Sequence, residues 1–352
     1  MKKTLLKQLF VILLMLYAPT AIAEEIEVNG ICYNITSPTE KTAEVTYGKE
    51  YTDIIEIPST ITYNGSTYSV TAIGADAFEE CTGLEKITIP NSIISIGENA
   101  FCGCTGLKSI EIPNSVTSIE YTAFYDCSGL TSITIGSNVK SIGDLAFYGC
   151  PAIENISVNA NNKYFDNRNN CNAVIEKASN TLILGCKNTI IPNGIKSIGE
   201  FSFYKCVIKE VTIPEGVEDI KEGAFAFCPE LTSVKIPSSI KNIEDGAFYE
   251  CPALKDFISG IPAEKLFGIN ESIFGYTDKS VCTLYVPKGS KAAYAECDGW
   301  KEFQNIKEFE ETSITGIKET CGERIIYDIN GRKVKNPTKG IYIINGEKVL
   351  IH

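Results

Sequence analysis

Apolar residues two positions apart, with one polar residue between them, recur along most of the chain: Ile87 and Ile89, Ile110 and Ile112, Ile133 and Ile135, Val211 and Ile213, Val234 and Ile236. The alternation predicts short strands that turn one row of side chains to a core and the other to solvent. Pro90, Pro113, Pro192, Pro214 and Pro237 close such strands, since proline cannot donate to a ladder. A second apolar edge follows (Ile93 and Ile96, Val116 and Ile119, Val217 and Ile220). Ahead of the strands stand the pairs Phe78/Cys81, Phe101/Cys104, Phe124/Cys127, Phe147/Cys150, Phe203/Cys206, Phe225/Cys228 and Phe248/Cys251, spaced by 23 residues, once by 22, with one break. A coil with apolar residues on several sides cannot bury them alone, whereas stacked copies share one continuous core, so the pattern predicts a solenoid.

The break from Cys150 to Cys206 spans 56 residues, so one coil carries about ten more than the 23-residue period. Asn159 to Asn172 reads as an asparagine-rich loop that leaves the stack, either a tolerated insertion or a binding loop; Ala173-Val174-Ile175 and Leu182-Ile183-Leu184 then re-enter as strands. Solenoid ends expose apolar core and need caps. Residues 24–75 form the N-terminal β cap, with a hairpin over Ile61 to Tyr68 turning at Asn64-Gly65 in type I′ geometry. Residues 76–258 hold the repeats. Residues 259–310 form the other cap, with a strand Thr283 to Pro287, a helix near Lys291 to Glu296, and Trp300 sealing the last coil. Residues 311–352 read as a β tail with two Asn-Gly hairpins, around Ile325 to Arg332 and Gly340 to Val349.

The motif A-F-x-x-C-x-x-L-x-x-I-x-I-P-x-S-V-x-x-I-G, carried over about residues 54 to 258, resembles the BspA-like leucine-rich repeats of Bacteroidetes surface proteins. The resemblance implies a right-handed, strand-rich β/α solenoid with a parallel sheet on one face and short irregular or helical turns on the other. It also implies adhesion to host or extracellular-matrix proteins or to other microbes. The tail, with Tyr327-Asp328-Ile329-Asn330-Gly331-Arg332 and Lys339-Gly340-Ile341-Tyr342-Ile343, is similar to type IX secretion sorting domains, although it ends in Ile351-His352 where a basic ending is common.

Lys2, Lys3 and Lys7, an apolar run from Leu9 to Leu16 and then Ala21-Ile22-Ala23 have the order of a secretory signal peptide cleaved near Ala23. No later stretch is long and apolar enough to span a membrane. Removing the leader takes away three positive charges and no acid, so the net charge of −12 becomes −15. Such a product repels phosphate backbones and anionic lipid, which argues against nucleic-acid or membrane-surface binding. The expected location is therefore outside the cell or on its outer surface.

Catalytic chemistry has little to work with. His352 is the sole histidine, so Ser-His-Asp, Cys-His and His-ligated metal sites lack their base or ligand. Phosphate-cradling glycine motifs and C-x-x-C are absent, Cys102-Gly103-Cys104 is a weak metal signal, and no cofactor is implied. A carboxylate pair among the 44 acidic residues leaves carbohydrate chemistry or glycan binding as the alternative function. Fourteen cysteines in an exported chain raise the question of disulfides. The seven repeat cysteines fit a buried thiol ladder better, because stacked coils lie ~4.8 Å apart. A bridge needs Cβ atoms at ~3.8 Å. Cys171 with Cys186, and Cys282 with Cys297, are the bridge candidates. Candidate partner-binding positions are the outward strand residues Lys86, Glu111, Thr134, Thr212 and Lys235 and the tyrosines Tyr125, Tyr148, Tyr204 and Tyr249 beside the repeat Phe. Those tyrosines form an exposed aromatic row or a cover over the Phe ladder.

Overall fold

The computed structural model describes residues 25–309 and, in the tail, the strands Ile326–Asp328, Lys333–Val334, Gly340–Ile344 and Glu347–Ile351. The expected leader lies outside the described residues. The described residues up to Lys307 form one unit and those from Glu308 another. The second unit holds a four-stranded antiparallel sheet in the order Lys333–Val334, Ile326–Asp328, Gly340–Ile344, Glu347–Ile351.

The first unit is a strand-rich solenoid. Each regular coil runs from a tight turn around the repeat Phe, through a strand such as Ser132–Ile135, to a two-residue strand such as Ser141–Ile142. Coils stack parallel and in register: Ile133 lies between Ile110 and Ile156, and Ile119 between Ile96 and Ile142. The turns are not helical. Each carries two residues with positive φ, two before and two after the Phe, as at Asn99 and Gly103, Thr122 and Asp126, Phe201 and Lys205, Gly223 and Phe227. The α-helix of the described residues is Lys291–Glu296, in the C-terminal cap.

The core is a set of ladders. Phe78, Phe101, Phe124 and Phe147 stack with centroids 5.0 to 5.1 Å apart and planes within 6°. Phe203, Phe225, Phe248 and Phe274 form the second run, at 4.8 to 5.5 Å. Beside them five of the seven repeat cysteines donate their thiols to the Phe carbonyl of the preceding coil: Cys104 to Phe78 at 3.0 Å, Cys127 to Phe101 at 3.1 Å, Cys150 to Phe124 at 3.2 Å, Cys228 to Phe203 at 3.1 Å and Cys251 to Phe225 at 3.2 Å. In the last turn Thr277 takes over this role, its hydroxyl donating to the Phe248 carbonyl at 3.0 Å. A buried carbonyl left without a donor costs ~1–3 kcal/mol, so the position asks for a small apolar side chain with one donor.

The thirteen described cysteines are free thiols, and neither candidate bridge is formed. Cys171 and Cys186 belong to different halves of the core, and the Cys186 sulfur points at the carbonyls of Glu154 and Asn172, 3.6 and 3.5 Å away. Cys282 is buried in the core, whereas Cys297 is half-buried at its edge.

The insertion divides the core into two clusters, one from Ile26 to Cys186 and one from Cys171 to Phe303. It folds down onto the preceding coil instead of leaving the stack. Asn162 is buried, gives its amide to the carbonyls of Gly136 and Val139 at 2.8 and 3.1 Å, and accepts from the N–H groups of Tyr164 and Phe165. That pins Phe165 into the core. Tyr51 closes the first Phe ladder at 5.0 Å from Phe78, in the cap that contains the antiparallel hairpin Thr60–Tyr63 and Ser66–Ile73. Trp300 is fully buried against Phe257, Phe274 and Tyr294 at the other end, and its indole N–H donates to the Phe267 carbonyl at 3.0 Å.

Two outcomes are expected. Phe124→Ala removes a ring sandwiched between two others and costs about 3–5 kcal/mol in urea unfolding, the range for a large core truncation. Burial holds the repeat thiols protonated, pushing Cys206 and Cys251 up to about 12 from an ordinary 9.0. The unfolded chain therefore releases protons above pH 9 while the folded chain keeps them. Stability is full below that pH and falls as pH rises toward 12, which urea midpoints measured between pH 8 and pH 11 would register.

Candidate functional site

The candidate residues fall on two separate strips. Strand positions Lys86, Glu111, Thr134 and Thr212 are exposed and Lys235 is half-buried. They do not share one sheet: Glu111 pairs with Thr134, Thr212 pairs with Lys235, and Lys86 lies on a strand paired with Asp53–Glu56. The insertion separates the first pair from the second.

The tyrosines are brought together. Tyr125 stacks on Tyr148 at 5.1 Å and 14°, and Tyr148 on Tyr204 at 3.7 Å and 17°, although 56 residues separate the last two. Their closeness has a backbone cause. Thr181–Leu184 pairs with the two-residue strand Ser197–Ile198, so Thr181 to Cys186 takes the place that Ser197 to Cys206 holds in the next coil. This short arc supplies no tyrosine-bearing turn, and the turns on either side meet across it. Gly185 stands where a Phe stands elsewhere, and a Cβ there would come 2.1 Å from the Phe203 ring.

Two rings that the repeat alignment hides extend the strip. Phe227 bridges Tyr204 at 5.2 Å and Tyr249 at 5.4 Å, and Phe201 stands edge-on to Tyr148 at 5.5 Å and to Tyr204 at 6.1 Å. Tyr276 continues the row at 5.3 Å from Tyr249 and is 81% exposed. Tyr125, Tyr148, Tyr204, Phe227 and Tyr249 are half-buried, so the strip both covers the core beneath it and faces water. Phe227 and Phe201 occupy positive-φ positions, at 59° and 50°, where most other coils place Gly, Asn, Asp or a charged residue, Thr122 and Leu145 being the other departures. A bulky residue in the left-handed region is costly, and such strain concentrates at functional sites. The visible signal in the sequence was the displacement of an aromatic by one or two positions from the Phe-Tyr pattern.

Polar groups frame the strip. Lys205 lies 5.4 Å from the Tyr204 ring centre and 3.6 Å from the Asp126 carboxylate. Burial raises the phenol of Tyr148 above its ordinary value, with the neighbouring Tyr204 hydroxyl adding to it, so the Tyr148 ring presents a neutral hydroxyl edge. Among the described residues there is no group of His, Cys, Asp and Glu able to hold a metal, and no helix long and apolar enough to cross a membrane.

The model of the BspA-type leucine-rich repeat region matches residues 55–175 and 175–298, in six copies. A search of curated proteins finds no match. Similar solved structures include the pneumococcal vaccine antigen PcpA, 16% identical over 82% of this chain and 100% of that one, TM-score 0.49. A leucine-rich repeat protein of Bacteroides ovatus is 24% identical over 81% of this chain and 90% of its own, TM-score 0.44. A leucine-rich cell surface protein of Faecalibacterium prausnitzii is 21% identical over 85% and 99%, TM-score 0.38. The family model covers more than half of the sequence and the coils stack in register, so the chain belongs to the BspA-type leucine-rich repeat family.

Proposed function

We propose that the chain is a secreted or cell-surface protein that binds another protein, of host, matrix or microbial origin, through the aromatic strip on its turn side. The strip carries the reading because it gathers Tyr125, Tyr148, Phe201, Tyr204, Phe227 and Tyr249 into one continuous surface, two of them on strained backbone. Aromatic residues dominate the energy of protein interfaces, whereas the polar strand strip lacks such anchors. The family and the leader-like first 23 residues support display outside the cell, and the tail's likeness to sorting domains supports delivery to the outer surface.

Geometry favours a protein over a glycan. Sugar rings recognised by aromatics lie on an open ring face, but the faces of Tyr125, Tyr148 and Tyr204 are taken up by one another. What remains outward is ring edge and hydroxyl, the amphipathic combination that protein interfaces use. The acids follow the coil repeat and surface ion pairs such as Lys241 with Glu218, which makes them a solubilising coat.

Surface labelling of intact producing cells, followed by binding of the purified chain to immobilised matrix proteins, tests this reading. Tyr148→Ala combined with Tyr204→Ala is expected to weaken capture by roughly 30-fold, matching the ~2 kcal/mol of an interface hot spot, while circular dichroism stays unchanged. Unlabelled protein and a variant that binds like wild type would each count against it. Phe227→Gly separates surface from core. Release of ~1–2 kcal/mol of left-handed strain offsets the lost ring contacts, so its unfolding midpoint stays near wild type while binding falls.

A further inference from the structure

The truncated arc leaves a notch between the coil of Lys140–Tyr148 and the coil of Ser197–Phe201. Its volume is about 480 Å³. Its floor is Phe147, Phe165, Val174, Ile183 and Leu184, and its rim carries Asp144, Glu176 and Glu200. The size falls in the ~300–1,000 Å³ range of ligand sites.

The notch interrupts the backbone hydrogen bonds that pass from coil to coil. On the sheet side, the carbonyls of Thr71, Ile94 and Thr117 accept from Ile94, Thr117 and Lys140 of the following coil, and those of Ile73, Ile96 and Ile119 accept from Gly97, Glu120 and Gly143. At Lys140 and Ile142 the series stops, because Ser141–Ile142 is the last strand of its sheet and, among the described residues, no N–H donates to either carbonyl. On the turn side, the N–H groups of Asp76, Asn99 and Thr122 donate to Glu98, Tyr121 and Asp144, and those of Glu80, Gly103 and Asp126 to Cys102, Tyr125 and Tyr148. The equivalent donors Leu145 and Gly149 have no such acceptor, and the equivalent acceptors Glu200 and Tyr204 no such donor, among the described residues. The stack thus presents an open hydrogen-bonding edge on both walls. Ser197, only 7% exposed, is part of the lining, and its hydroxyl, closed off from solvent, has no hydrogen-bond partner.

We propose that this notch receives an extended basic segment of a partner protein, which adds as a strand to the open edge of Ser141–Ile142. Free N–H and C=O groups at a sheet edge are the template for strand addition, and pockets for alternate side chains then confer selectivity. The charge of the segment follows from the rim. Lys221 is already paired with Glu244 at 2.7 Å, which leaves Lys140 as the rim cation beside Asp144, Glu176 and Glu200. Apolar side chains of the segment enter over Ile183 and Phe165, its lysines or arginines meet the carboxylates, and its N–H groups meet the Lys140 and Ile142 carbonyls. This site is separate from the outward strip, although Tyr148 and Phe201 wall both.

An array of capped heptapeptides with alternating apolar and basic residues, probed with the chain from residue 24 onward, tests the proposal. Saturable binding is expected, at least tenfold weaker for the matched peptides with Glu in place of Lys. Asp144→Asn with Glu200→Gln should weaken it about tenfold, and Ile183→Trp, which fills the floor, should abolish it while Tyr148-dependent capture of matrix protein persists. N-methylation of the best peptide at one set of alternate residues should abolish binding, and at the other set leave it intact. No binding across the array, equal binding of the acidic peptides, indifference to Ile183→Trp, or equal tolerance of both methylation registers overturns it. So does an oligosaccharide panel that competes for the notch in wild type and not in Ile183→Trp.

Discussion

Every regular coil must hand its backbone hydrogen bonds and its apolar edge to the next, and most of the structure is a consequence of that transfer. A buried N–H or carbonyl without a partner is expensive, so each coil has to reproduce the outline of its predecessor. This fixes where a residue can be lost. The coil that measures 22 residues omits one between Cys206 and Ile208, in the connection ahead of the strand, and the strand still pairs Glu210 with Ser233 in register. Phe, Cys and Ile repeat because each touches its own copy one coil away. Cys recurs because a thiol fills the space of a methyl group and still satisfies the carbonyl behind it, a task that the Thr277 hydroxyl performs in the terminal turn.

That one-dimensional logic explains how much could be read from residues alone. The solenoid, the main strand and second apolar edge of each coil, the Asn64-Gly65 hairpin, the helix near Lys291 and the buried Trp300 all follow from local pattern and from a period that repeats it, although the edge's own two-residue strand did not. The insertion was the opaque part. Its asparagines look like a solvated loop, yet Asn162 is a buried bracket that satisfies four backbone groups at once, and nothing in composition separates a bracket from a loop. The pairs Cys171/Cys186 and Cys282/Cys297 flank a loop and a cap, which is where bridges tend to occur. Position in the chain said nothing of the direction of the side chains, and Cys186 turns to carbonyls instead.

The aromatic strip was legible in half. Tyr125, Tyr148, Tyr204 and Tyr249 announce themselves by following the repeat Phe, but their union depends on the short arc at Thr181 to Cys186, which brings Tyr148 against Tyr204. Phe201 and Phe227 break the register of the motif, so the period does not point to them. They also break a conformational preference, since in most other coils, Thr122 and Leu145 apart, those positions hold Gly or a polar or charged residue. A repeat protein can change its exterior this way without touching its core, because outward positions of a turn are not read by the neighbouring coil.

The divided core has a mechanical meaning as well. In a linear array, cooperativity passes only between neighbours, so a joint with fewer shared bonds sets the limit of the domain that unfolds as one body. Around Thr181 to Cys186 the Phe ladder is replaced by a glycine, and the sheet that ends at Ile142 does not continue into the next. Tension along the long axis would concentrate there, letting the amino-terminal coils and the carboxy-terminal coils part as two intact blocks before either loses its own stack. The contact of Tyr148 with Tyr204 spans this joint, so parting there would also divide the aromatic strip into an amino-terminal and a carboxy-terminal portion.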